Sequence, residues 1–170
     1  MLIPNWLPIL NLLSFIPGDI KYATTWINPQ NIKYQFLQST QPVKATPFLK
    51  WAGGKGQLLA QYDEFFPADF NNYIESFLGG GAVFFHLYSA NRLNPDKKII
   101  LIDSNKELIN SYKVVKKDVT QLIVKLTNCK YINNKPVFYQ IREENPTDPI
   151  AKAARMIYLN RTCFNGLYRV

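Results

Sequence analysis

The chain has 170 residues, 47% apolar and 14% aromatic, with a formal net charge of +8. That length suits one domain, or one plus part of a second, and the apolar content can bury a core. Cys129 and Cys163 lie far apart with no C-x-x-C spacing, so neither a disulfide framework nor a cysteine metal site is indicated; they read as reduced, buried thiols of a cytoplasmic protein.

Residues 1–45 differ in character from the rest. Leu2–Ile16 is apolar but broken by Pro4, Asn5, Pro8 and Asn11, and it lacks a basic start. It is too short and interrupted to span a bilayer and is a poor signal peptide, so no membrane association is expected. The segment reads as a loosely structured extension with no assigned function.

At Pro47 the pattern changes to PFLKWAGGKGQLLAQYDEFFP, with a helix expected from Gln57 to Phe66. Lys55 after glycines invites a phosphate-loop reading, which would require glycine at Leu49 and a hydroxyl at Gly56. Neither is present. Lys55 near a helix start can still bind a carboxylate or phosphate oxygen, and Trp51 offers a flat apolar face. The structural alternative makes Trp51 core and Lys55 a solvated cap.

The stretch from Tyr73 to Asn110 organises the chain. A strand over Tyr73–Phe77 breaks into Gly79, Gly80 and Gly81; a helix follows over Ala82–Ala90, then an apolar strand over Lys98–Ile102 that ends in Asp103. Glycines let a ligand approach the backbone, and the helix start presents free N–H groups. An acid after the second strand can accept bonds from two ribose hydroxyls. Asp103 follows Gly81 by 22 residues, close to the roughly 20 of dinucleotide-binding units. Counting from Gly79, however, places bulky Phe84 where such units have their third glycine. A nucleoside ligand without phosphates, such as S-adenosylmethionine, does not need that glycine. A purely structural turn is the alternative. His86, the single histidine, lies in the helix after the turn and reads as a packing residue, which argues against a serine or cysteine triad.

Beyond Asp103 helices take over. They are expected over Lys106–Val115 (Leu108, Ile109 and Tyr112 facing the sheet), Asp118–Leu126, Val137–Glu144 and Ala151–Leu159, the last with Arg155 on a polar face. With two strands supplied, the parallel α/β sheet is incomplete. Charge is uneven: residues 46–112 carry 6 Lys/Arg against 7 Asp/Glu, whereas residues 113–170 carry 11 against 4. A basic second part fits a polyanion or a solvated lysine surface. The closing run NRTCFNGLYRV groups Arg161, Phe164, Asn165, Gly166, Tyr168 and Arg169. Arginine can pair with phosphate or guanine, asparagine with adenine, and an aromatic ring can wedge between bases. An ordinary turn after a helix is the alternative.

Three blocks in order, Pro47–Leu58, Glu75–Tyr112 and Tyr158–Val170, together resemble the adenine-specific DNA methyltransferases of the Dam type. The resemblance covers residues 46–170. It implies an incomplete Rossmann-like S-adenosylmethionine-dependent methyltransferase fold over 46–112, followed by a helical target-recognition region over 113–170. It implies transfer of methyl from S-adenosylmethionine to adenine N6 in double-stranded DNA, at a GATC-like site, and allows a cognate restriction endonuclease. Trp51, Lys55 and Asp103 are implied as cofactor contacts, with Glu75, Gly79 and Gly81 shaping the pocket; no metal is implied. Phe164, Asn165, Leu167 and Arg169 are implied as DNA contacts, with Phe164 standing where the family usually has tyrosine. The family's Asp-Pro-Pro-Tyr motif does not occur here: Asp148-Pro149 continues with Ile150. The chain is therefore expected to be the N-terminal part of such an enzyme, inactive alone. The alternatives are a non-catalytic DNA-binding remnant and a nicotinamide-binding oxidoreductase.

Overall fold

The computed structural model describes residues 45–166, apart from 95 and 128, together with Tyr168; the side chains of Cys129 and Asn165 are not described. The expected extension over residues 1–45 thus lies outside the described residues except for Ala45, as do Leu167 and Arg169.

Two strands, β1 (Asn72–Glu75) and β2 (Lys98–Leu101), pair in parallel, with Tyr73 opposite Ile99 and Glu75 opposite Leu101. Both end sooner than the apolar runs suggest. The pairing nevertheless continues through the loops, since Ile102 N–H donates to Glu75 O at 2.8 Å and Leu78 N–H donates to Ile102 O at 2.9 Å. Parallel strands require a crossover, here helix α2 (Ala82–Ser89), preceded by the short α1 (Leu59–Tyr62).

The expected helix over Gln57–Phe66 is not continuous. Lys55–Leu58 and Asp63–Phe65 are 3₁₀ turns on either side of α1. None of these pieces has a side-chain cap or a buried residue, and Phe65 is exposed. Short helical segments gain most of their stability from packing, and this one has little. It is tied to α2 instead by Asp63, whose carboxylate meets His86 Nε2 at 2.6 Å and Arg92 Nη2 at 3.1 Å. His86, Arg92 and the hydrogen bonds they donate hold the Asp63 carboxyl below its usual range. His86 is thus a hydrogen-bonding partner of Asp63 as well as a helix residue.

Among the described residues the remaining α-helices are α3 (Lys106–Lys117), α4 (Val119–Leu126), α5 (Lys135–Glu143) and α6 (Pro149–Thr162). Three begin at side-chain caps: Asn105 Oδ1 accepts from Leu108 N, Asn134 Oδ1 from Val137 N, and Asp148 Oδ2 from Ala151 N. Asp148 and Pro149 at the first helical position start α6 earlier than the apolar pattern indicates.

Helix α6 is the hub, packing against α3, α4 and α5. Ala153 and Ala154 let its neighbours approach, and Met156, Ile157 and Leu159 fill the centre with Leu108, Val115, Leu122 and Ile141. The main partner of α3 is therefore α6, with Leu108 and Tyr112 buried and Ile109 only partly so. Arg155 is largely covered yet faces polar partners, with Nη1 3.7 Å from Glu107 Oε1. Its guanidinium donates to Ile141 O at 3.0 Å and Arg142 O at 2.5 Å, satisfying carbonyls at the end of α5.

Candidate functional site

The glycine turn between β1 and α2 is closed by the acid after β2. Gly81 N–H donates to Leu78 O at 2.8 Å, and Gly79 N–H donates to Asp103 Oδ2 at 2.9 Å. Asp103 Oδ1 accepts from Asn105 N–H at 2.9 Å. Each carboxylate oxygen keeps lone-pair capacity for a further donor. Gly79 (φ +49°) and Gly81 (φ +73°) both adopt the left-handed conformation that favours glycine.

Trp51 lies against this turn: a Cβ on Gly79 would come within 2.8 Å of its Cδ1. The Trp51 segment makes its own turn, with Gly54 N–H donating to Trp51 O at 3.0 Å and Gly53 at φ +74°. Exposed Lys55 donates from Nζ to Gly53 O at 3.0 Å, and its 3₁₀ turn packs beside α2. The structure thus brings Trp51, Gly79, Gly81 and Asp103 together, with Lys55 on the adjoining turn.

Glu75, at the end of β1, accepts from Tyr73 Oη at 2.8 Å. Burial raises the Glu75 carboxyl above its usual range, against the lowering effect of the Tyr73 hydroxyl and the Phe84 backbone N–H. Phe84 is buried and stacks near Tyr73 and Tyr88, its ring 6.4 Å and 6.0 Å from theirs. It fills the strand–helix gap that a third glycine would leave tight.

Tyr112 is a site residue that sequence reasoning assigned only to packing. Its hydroxyl donates to Gly79 O at 3.4 Å and would meet a Cβ on Gly81 at 2.7 Å. Burial, followed by the charges of Glu75 and Asp103, pushes its phenol well above the usual range. Both carboxylates therefore act on one hydroxyl beneath the turn. No sequence signal separated it from an ordinary core tyrosine. Beyond Asp103, Lys106, Ile109, Asn110 and Lys113 line a cleft of about 220 Å³.

The second candidate group sits at the end of α6. Phe164 is 90% exposed on the 3₁₀ turn Phe164–Gly166. Arg161 donates from Nη2 to Phe48 O at 3.1 Å, and burial draws its guanidinium pKa down. Gly166 (φ +67°) faces Lys50, with whose Cδ any added Cβ would collide. The Asn165 side chain, Leu167 and Arg169 lie outside the described residues. Cys163 is a free thiol, half-buried. Among the described residues no group of three or more His, Cys, Asp or Glu gathers as a metal site, and no helix is long and apolar enough to cross a membrane.

Residues 51–170 match the family described as D12 class N6 adenine-specific DNA methyltransferase. The chain belongs to that family. Relatives include the type II methyltransferase M.MjaIII of Methanocaldococcus jannaschii, 40% identical over 145 residues, covering 75% of the chain and 49% of the relative. The DNA adenine methylase of Haemophilus influenzae is 39% identical over 142 residues, covering 78% and 46%. That of Escherichia coli K12 is 38% identical over 136 residues, covering 74% and 44%. The chain thus spans about half the length of the curated relatives it matches. The two-stranded parallel sheet with its surrounding helices agrees with an α/β methyltransferase fold.

Proposed function

We propose that this chain carries the cofactor-binding and target-recognition part of a site-specific DNA adenine-N6 methyltransferase using S-adenosylmethionine. The observation that supports this most directly is the Asp103 carboxylate bonded to Gly79 N–H in a turn packed under Trp51. The donor set fits the cofactor. Asp103 has lone pairs for ribose hydroxyls, Trp51 an apolar face, and Lys55 a cation for the carboxylate. Glu75, Gly79 and Gly81 shape the cradle. Phe84 stands where a pyrophosphate-binding turn has the glycine that lets helix and strand approach closely, which favours a nucleoside without phosphates over a dinucleotide.

When bound, the cofactor supplies an electrophilic sulfonium methyl. The chain's own residues hold and orient; in-line transfer depends mainly on such positioning. Residues 46–112 form the Rossmann-like cofactor part and residues 113–170 the recognition part, a division of labour inside one packed body, since α3 crosses residue 112 unbroken. Phe164, Asn165, Leu167 and Arg169, with Arg161, are assigned as contacts to double-stranded DNA, and the basic second part suits its phosphates. The target adenine must leave the stack to react. No residue of this sequence is assigned that step, because Asp-Pro-Pro-Tyr does not occur in it. The type II names among the relatives fit a cognate endonuclease as partner.

Calorimetric titration of the chain with S-adenosylmethionine and, separately, NAD tests this. Binding of the first alone is expected. Preference for NAD overturns the reading, and salt-dependent DNA binding without any cofactor binding favours the non-catalytic remnant instead.

A further inference from the structure

Asn160 is fully buried in α6, at the end of the apolar run Met156–Leu159. A buried carboxamide is costly unless bonded, and this one is bonded to a single distant residue. Lys50 N–H donates to Asn160 Oδ1 at 3.0 Å, and Asn160 Nδ2 donates to Lys50 O at 2.8 Å, across 110 positions. The side chain offers Lys50 the pair of bonds that a neighbouring strand would offer. Leucine could fill the same space, but would leave both backbone groups of Lys50 orphaned. Two further contacts reach the segment from the same end of α6, Arg161 to Phe48 O and Gly166 against the Lys50 side chain. The next residue, Trp51, covers the glycine turn.

We infer that Asn160 is a positioning residue that fixes the Lys50–Trp51 segment, setting the indole over the glycine turn and holding that turn in register with the Phe164 tip. The inference deepens the reading above, since the cofactor affinity it predicts rests on that site. Contact is continuous from Phe164–Gly166 through Lys50 and Trp51 to Gly79 and Asp103. The methyl-donor site and the DNA-facing loop are thereby held in one geometry, with the Asn160 carboxamide supplying both backbone bonds to Lys50.

The test uses the full chain with Trp6→Phe and Trp26→Phe, which leaves Trp51 as the sole indole. In Asn160→Asp at about pH 8 the ionised acid cannot donate to Lys50 O; at about pH 5 a buried acid is protonated and offers one donor and one acceptor again. Acrylamide quenching of Trp51 is expected to rise, and S-adenosylmethionine affinity to fall roughly tenfold, at the higher pH. Both should return toward the parent values at the lower pH, with no such return in Asn160→Ala. Tyr158→Phe, which removes the hydroxyl bonded to Ile132 O on the same helix, should cost stability and leave both readouts unchanged. Gly166→Ala, which pushes Lys50 from the other side, should raise quenching even if the Asn160 variants do not fold. Unchanged Trp51 quenching in folded Asn160 variants, or in Gly166→Ala, overturns the inference. A parent chain that binds no cofactor removes the proposed function, while the quenching experiment still decides the role of Asn160.

Discussion

Asp103 reaches back 24 residues to hold the N–H of Gly79 at 2.9 Å, while its other oxygen holds Asn105. One carboxylate therefore ties the turn after β1 to the start of α3, and ligand affinity and local stability should fall together when it is removed. Asp103→Ala is expected to cost about 1–3 kcal/mol in urea denaturation, the scale of donors left unpaired. S-adenosylmethionine binding should weaken by calorimetry. Asp103→Asn, keeping one acceptor, should lose less; equal stability of all three forms would mean the bonds are dispensable.

Gly81→Ala should be more damaging than Gly79→Ala. Both positions are left-handed, a conformation that costs a non-glycine residue about 1–2 kcal/mol. At Gly81 the added methyl also meets the Tyr112 hydroxyl and the Phe85 ring, which are held by the core, whereas at Gly79 it meets the partly exposed Trp51. Denaturation midpoints of the two variants should show that order.

Glu75 makes stability depend on pH in an unusual direction for a carboxylate. Its pKa is raised in the folded chain, so folding takes up a proton in the window above the unfolded value. Its contribution is fully present below that value and is lost as pH rises through the folded one. Glu75→Gln should accept from Tyr73 without a charge, flattening this slope, which cannot exceed about 1.4 kcal/mol per pH unit for one proton. Melting temperatures of parent and variant across mildly acidic pH provide the measurement. If Glu75 holds the cofactor, the variant gains stability near neutrality and binds the cofactor more weakly.

Phe164→Ala should separate recognition from stability. With 90% of the ring exposed, little packing is lost, and the melting temperature should hold. Fluorescence anisotropy with duplex DNA should show a loss of about 1–3 kcal/mol, the scale of an aromatic–base stack. Unchanged affinity would take Phe164 out of the interface.

The strand, glycine turn, helix, strand and acid were legible in the sequence because each is a local signal. Glycines mark the bend, and the apolar run Ile99–Ile102 marks the second strand, though its side chains are only partly covered. What escaped depended on partners far along the chain. Nothing near Asn160 names Lys50, and nothing near Arg155 names the carbonyls of Ile141 and Arg142. The apolar residues of Gln57–Phe66 suggested one helix, but without caps or a covered face the segment broke into short turns. His86 looked like packing because Asp63, its partner, lies 23 residues earlier. The helical spacing marks Tyr112 as buried, and it is, yet nothing local shows that its hydroxyl meets the turn.

The ladder that carries the glycine turn is four residue pairs long, whereas α6 is enclosed by three helices. Two short strands are marginal by themselves, so their amides should exchange with deuterated water sooner than those of α3 and α6. A chain warmed just short of global unfolding would then keep most of its helical circular dichroism after its grip on a nucleoside had gone. Ligand present at saturation should slow exchange most at Leu78, Gly79 and Gly81, which makes the weakest part of the scaffold the most sensitive reporter of occupancy.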